Sequence, residues 1–419
     1  MNVAFKGPWP EILDADALLM DVARRIQLSP TKHQIADRNF RALCKHVDRE
    51  GSPLHGLVNE CYPSGSFATG TAIAAQVRKD IHDVDVVIEL NVDPFSSPEY
   101  MLGLLFEAVN GELGSAYHGT VKQNTRCVTV RYADGTKVDL MPVARIANKP
   151  ERVGNLFHFK TETGHAFHKI VNPWGFKEYF NSHVEVDLAF YDMFKGRRVL
   201  VEGERLMAAD MLPMPEHAPL EEKSPRVVAI QLIKRARDIA FRKPGRSGMR
   251  KPPSVVLAAI ALEAGPVNPH LVDEVIGVAG AIRTRLLQKD ALTRTVTVCN
   301  PAYPQDVFTD RWPENESTQD MFSDDMRRMI VDMYKLRNET LSLTEKTELL
   351  KRVFGESVAA YAIESQLDAG RHEMEAGRFN VGPKGPVLGV VAAPAIIGSG
   401  SRTAAAKVGT REGGGTLSK

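Results

Sequence analysis

Residues 83–90 read Asp83-Val84-Asp85-Val86-Val87-Ile88-Glu89-Leu90. A run so rich in β-branched residues predicts a strand. Side chains two residues apart leave a strand on the same face. Asp83 and Asp85 therefore project together, about 7 Å apart by the ~3.4 Å rise per residue. Val84, Val86 and Ile88 fall on the other face and read as core. Two carboxylates held this close repel each other, and a divalent cation between them would remove the repulsion. The alternative is a solvated strand face, which is the commoner meaning of an isolated Asp-x-Asp.

The flanking sequence bears on that choice. Upstream, Pro63 to Thr71 is rich in Gly, Ser and Thr. Gly65-Ser66 within it can bring backbone N–H groups against phosphate oxygens, because Gly permits close approach; an ordinary turn is the other reading. The stretch lacks the Gly-Lys-Ser/Thr of a P-loop. Earlier still, Ser29-Pro30 marks a helix start. Ala36, Phe40, Leu43, Cys44 and Val47 recur at helical spacing up to Gly51-Ser52-Pro53. Downstream, residues 101–109 predict a short helix. Arg126 to Tyr132 alternates, Cys127, Thr129 and Arg131 against Val128, Val130 and Tyr132. Asp134-Gly135 is a hairpin turn, and Lys137 to Met141 returns, with Pro142 as its expected end. Asp139 on that strand adds a third carboxylate. Three such groups suit magnesium, which takes carboxylate and phosphate oxygens, in a two-metal site for phosphoryl transfer.

The second half reads differently. From about 155 to 220 no regular pattern stands out. Ser224-Pro225 opens a helix through Phe241, and Pro252-Pro253-Ser254 opens another to about Glu263. Residues 270–290, 317–337 and 343–367 also predict helices, the last broken at Gly355. Between Arg226 and Lys251 stand nine Lys or Arg and one Asp. Lys234, inside an otherwise apolar helix, either snorkels to the surface or meets a triphosphate. Ser254 is either a plain cap or a further contact for the same anion. Arg242, Lys243, Arg246, Arg250 and Lys251 form a solvated basic loop or a phosphate-gathering rim. His158, His165 and His168 lack Cys or acidic neighbours at zinc spacing. Trp174 and Trp312 read as packing residues.

At about 150 residues per domain, 419 residues allow two or three domains or one two-lobed enzyme. A chain 43% hydrophobic and 25% charged is not globally disordered. Its 53 Lys and Arg against 52 Asp and Glu lack the positive excess of a duplex-coating protein. Cys44, Cys61, Cys127 and Cys299 make no C-x-x-C pair, so reduced thiols are expected. No signal peptide is visible. The longest apolar stretch, Val387 to Ile397, is interrupted by Pro394 and falls far short of the ~20 residues that span a bilayer. A soluble, cytoplasmic protein with no membrane partner is expected. The tail from Val381 to Lys419, with nine glycines and no aromatic residue, is expected not to order itself.

Three stretches carry a resemblance. Pro63-Ser-Gly-Ser-Phe-Ala-Thr-Gly-Thr-Ala72, then Asp83-Val84-Asp85, then Val138-Asp139-Leu140-Met141-Pro142 resembles the polymerase-β-type nucleotidyltransferase signature. More narrowly, the chain resembles the bacterial cGAS/DncV-like nucleotidyltransferases of anti-phage signalling systems. Arg226 to Asp238, Lys251-Pro-Pro-Ser254, and Asn300-Pro301 to Asp306 running on to Trp312 support the narrower match. It covers about residues 30–365.

The resemblance implies an α+β fold: a palm with a mixed, largely antiparallel sheet and a helical C-terminal lobe, the active site in the cleft between them. The palm, with an N-terminal spine helix, would take residues 1–155, the lobe 156–370, and a flexible tail 381–419. Asp83 and Asp85 would bind two Mg2+ ions, with Mn2+ as a substitute; Asp139 would bind one of them and help activate a ribose hydroxyl. Gly65, Ser66, Lys234 and Ser254 would hold the donor triphosphate. ATP, GTP or both would be joined into a cyclic di- or trinucleotide, read by a downstream effector. Regulatory or conjugating partners are further expectations, the latter suggested by Gly413-Gly414-Gly415; a nucleic-acid activator is not required. Sixteen residues separate Ser66 from Asp83, more than the compact family pattern, which keeps Asp80 as an alternative carboxylate. The zinc thumb of the eukaryotic relative has no counterpart. A non-cyclising transferase acting on tRNA, protein or a small molecule is the rival enzyme, and a nucleotide-binding scaffold the rival outside catalysis.

Overall fold

Helix α1 (Asp14–Ile26) and helix α2 (Pro30–Val47) follow one another but join different cores. Ser29 caps α2 by accepting from the Lys32 N–H, and Pro30 occupies its first turn, as the sequence predicts. The computed structural model describes residues 14–74, 82–194, 214–246, 248–375, 381–382 and 385–386. Asp80, Val387 to Ile397 and Gly413 to Gly415 lie outside them.

After α2 come β1 (Val58–Pro63), the one-turn helix α3 (Gly65–Ala68), β2 (His82–Leu90) and α4 (Pro98–Asn110). Then follow β3 (Val121–Gln123), β4 (Val128–Arg131), β5 (Thr136–Arg145), β6 (Gly154–Lys160) and β7 (His165–Val171). These strands form one sheet in the order β1-β2-β5-β4-β3, with β6 joining the far end of β5 and β7 pairing β6. The β2–β5 pair is parallel and the other pairs are antiparallel. On one face Val84, Val86, Ile88, Val138 and Leu140 meet α2 and α4 in a common core.

Two details depart from the sequence reading. Pro142 does not end its strand: β5 runs on to Arg145. On that side β5 pairs with β4 up to Leu140 and with β6 from Val143. Pro142 stands at the change of partner, where a missing N–H breaks no antiparallel rung. The sheet also continues past residue 155. β6 is buried at six successive positions and β7 is mostly half-buried, so neither shows the alternation that marks a strand in sequence.

The remainder is mainly helical: α5 (Pro173–Ser182), α6 (Leu188–Phe194), α7 (Pro225–Ala240), α8 (Ser254–Ala261) and α9 (Leu271–Leu287). A short ladder of β8 (Cys299–Asn300) and β9 (Tyr303–Val307) precedes α10 (Glu316–Asn338), α11 (Leu343–Phe354) and α12 (Glu356–Glu375). Their apolar faces share a second core, and α1 belongs to it, although it opens the chain. Asp16 of α1 accepts from the Val272 N–H in the first turn of α9 and from His270 Nδ1, capping a helix more than 250 residues away. Gly355, at φ +91°, makes the break between α11 and α12. In the tail, residues 381–382 pair with 385–386 as β10 and β11. Among the described residues no helix is long and apolar enough to cross a membrane. The fold is α+β.

Candidate active site

The register of three strands makes the site. Asp85 on β2 lies directly opposite Asp139 on β5, and Asp139 lies opposite Thr129 on β4. In the next row Asp83 lies opposite Lys137. All these side chains leave the face away from the α2–α4 core, as the two-residue period requires. Thr129 Oγ1 donates to Asp139 Oδ1 at 2.5 Å and accepts from Asn124 Nδ2 at 2.7 Å. Asp139 is thus held in place by a relay that starts on β3's connecting loop.

Burial and the charges of Asp139 and Asp83 push the Asp85 carboxyl up to about 7, against the opposing pull of Lys137 and Lys234. The donors fit a hard divalent cation: carboxylate oxygens sharing one face, with electrostatics that call for more positive charge. Among the described residues, however, no three His, Cys, Asp or Glu side chains converge closely enough to hold an ion as they stand. Asp83 and Asp139 instead lean on Lys137, whose Nζ is 3.1 Å and 2.9 Å from them.

Above the carboxylates lies the 64–72 segment. The Ser64 N–H donates to the Asp85 carbonyl at 2.7 Å. Gly65 has φ +58°, and a Cβ there would strike the Asp85 carboxylate. Only glycine fits both demands. Thr69 Oγ1 donates to the Gly65 carbonyl at 3.2 Å and meets Thr71 Oγ1 at 3.0 Å. Asn181 of α5 donates to the Ala68 carbonyl. Behind the segment, Gln231 of α7 donates to the carbonyls of Gly70 and Ala72 at 3.2 Å and 2.9 Å.

Lys234 lies beside that clamp, but not as an open cation. Its Nζ donates to the Thr71 carbonyl at 2.6 Å, and the side chain is buried. Burial, with Arg237, pushes its ammonium down to about 7, while Asp238 and Asp85 act the other way. The lysine therefore braces the segment from behind. Ser254 starts α8, packed beside α3, and its hydroxyl accepts from Arg237 Nη1 at 3.3 Å. Arg237 also holds the Pro252 carbonyl, and Lys251 pairs with Asp238. Gly65, Asp83, Asp85, Asp139 and Lys234 are thus brought together; Ser66 sits in α3, and Ser254 lies at the margin.

Other singled-out residues support the frame. Asn300 Nδ2 donates to the Asn172 carbonyl and to Asp306, which also accepts the Asn172 N–H, so this motif ties β8–β9 to the start of α5. Trp312 is fully buried, and Trp174 lies under Arg152 at 3.7 Å. His158 Nδ1 accepts from Arg126, and His168 meets the Ser96 carbonyl. The sequence reading passed over Lys137, Gln231 and the relay from Asn124. Two of these had a signal: Lys137 is two residues from Asp139 on one strand, and Gln231 one helical turn before Lys234.

The chain is 30% identical over 391 residues to the cyclic dinucleotide synthase CdnG of Bradyrhizobium diazoefficiens, covering 93% of this chain and 92% of that protein. The chain belongs to the CD-NTase family. A family model, the Second Messenger Oligonucleotide or Dinucleotide Synthetase domain, matches residues 15–159. The structure of the Bradyrhizobium diazoefficiens CD-NTase CdnG in complex with GTP superimposes with a TM-score of 0.68 at 29% identity, covering 84% of this chain and 98% of that one. A c-di-GMP synthase of Roseivirga ehrenbergii is 21% identical over 84% of this chain and 86% of its own length. As a CD-NTase the chain is a nucleotidyltransferase.

Proposed function

We propose that this CD-NTase joins nucleoside triphosphates, ATP, GTP or both, into a cyclic di- or trinucleotide. The observation that carries the reading is the shared face of Asp83, Asp85 and Asp139 under Gly65, in a chain alike along its length to a cyclic dinucleotide synthase. In each step a ribose hydroxyl forms a bond to an α-phosphorus, and the bond from that phosphorus to pyrophosphate breaks. The last step closes the ring.

Asp83 and Asp85 would hold two Mg2+ ions, with Asp139 sharing one. Bound there, the ions would neutralise phosphate charge and make the ribose hydroxyl easier to deprotonate. Thr129 fixes the Asp139 carboxylate through its hydroxyl. Gly65 lets the backbone lie against the Asp85 carboxylate, and with Ser66 it would offer N–H and hydroxyl groups to the phosphates. Gln231 and Lys234 fix the 70–72 segment that forms the wall. Ser254 borders the same wall. The product would act as a second messenger in the cytoplasm, through an effector that binds it in defence against phage.

The purified protein is incubated with all four NTPs and Mg2+, treated with phosphatase, and its products are weighed by mass spectrometry. The expected product resists phosphatase and has the mass of two or three nucleotide monophosphates less the waters of ring closure. The Asp83→Ala/Asp85→Ala protein should yield none. A linear, phosphatase-sensitive product would overturn cyclisation, and wild-type yield from the double variant would overturn the metal assignment.

A further inference from the structure

The carboxylate face contains a cation of the chain's own. Lys137 precedes Asp139 by two residues on β5, so both side chains leave one face. The parallel register sets Lys137 opposite Asp83. Its Nζ lies 2.9 Å from Asp139 Oδ2 and 3.1 Å from Asp83 Oδ1. The lysine side chain is 20% exposed, and that of Asp83 is 60% exposed. These two carboxylates are also ligands in the metal reading. An ammonium carries three donors and a full charge, so it does electrostatically part of what an ion would do. Lys234 makes no such pair with Asp83 or Asp139; its Nζ donates to the Thr71 carbonyl.

We infer that Lys137 is an internal counter-ion, which keeps Asp83 and Asp139 together while no metal is bound and releases them as metal loads. It thereby sets the metal concentration at which the site fills. The inference deepens the metal reading of the triad and rests on it. Without Lys137 the metal-free site holds three carboxylates with one cation fewer against their repulsion, yet a metal ion meets no competitor. Metal-free stability and metal affinity therefore move in opposite directions. A lysine with only a structural role would lower stability with or without metal and leave affinity alone.

The test uses the full chain with Mn2+ and no nucleotide. Lys137→Met should bind Mn2+ about three- to tenfold more tightly than wild type in calorimetry, the range expected for the loss of two partly exposed ion pairs. In chelator its melting midpoint should fall below wild type, and Mn2+ should close most of that gap. Lys137→Arg keeps the charge on the carboxylates and should bind Mn2+ no more tightly than wild type, a check that holds even if the Met variant folds poorly. Met-variant affinity equal to or weaker than wild type, with wild-type binding intact, overturns the counter-ion role and leaves the metal reading standing. Wild type that binds Mn2+ no better than Asp83→Ala/Asp85→Ala overturns the metal reading, and the counter-ion role with it.

Discussion

Gly65 is the position where one added carbon does most harm. Alanine there must hold φ +58° and push its Cβ into the Asp85 carboxylate. A side chain held in that backbone region costs roughly 1–3 kcal/mol before any clash is counted. Gly65→Ala should lose at least that much stability in urea unfolding and nearly all product. Asp85 gives a second test through pH. Its carboxyl is raised from 3.8 to about 7 by burial and by Asp139 and Asp83, with Lys137 and Lys234 opposing. Between those two values Asp85 keeps more of its proton in the folded, metal-free chain than in the unfolded one. Its contribution to stability therefore falls as pH rises through that window and levels off above it. Asp85→Asn should remove that fall, so its melting midpoint gains on wild type across the window when both are scanned in chelator. At this scale the acids were legible because a two-residue period needs no distant information. Thr129 was legible only as one of an alternating set, since its bond to Asp139 depends on which strand lies alongside.

At the scale of elements, α7 does more than fill a core. Its Gln231 and Lys234, one turn apart, both hold carbonyls of the 70–72 segment. Gln231→Leu takes the donor from the part-buried hydrogen bonds to the Gly70 and Ala72 carbonyls, which costs about 0.5–1.5 kcal/mol for each. The expected signature is a raised KM for nucleotide with a modest drop in melting midpoint, read from steady-state kinetics and thermal scans. Helices α7 to α12 were legible from their start and stop residues, Ser224-Pro225 and Gly355 among them, whereas α5 and α6 lie in the 155–220 stretch that showed no regular pattern. The β6–β7 hairpin was not, because β6 buries both faces and β7 neither fully. Pro142 misled for a related reason: a proline is tolerated where a strand changes partner, and sequence does not reveal that point.

At the scale of the whole molecule, two large cores sit side by side, and α1 crosses from one end of the chain to the core of the other. Leu19 is fully buried there. Leu19→Ala should cost about 2–5 kcal/mol, measured by equilibrium unfolding, with the carboxylate face left unchanged in its Mn2+ affinity. No sequence pattern announces this docking, because the partners of α1 are Val272, His270 and Gln366, far along the chain. That distance has a consequence for biosynthesis. The ribosome delivers α1 with its apolar side bare, and the helix that closes over it, α12, is translated near the end. Helices α7 and α9 reach α1 first, and its cover is complete only with α12. A copy that stops before α12 therefore keeps part of that apolar side bare, so an unfinished molecule differs from a finished one by a sticky strip on its surface.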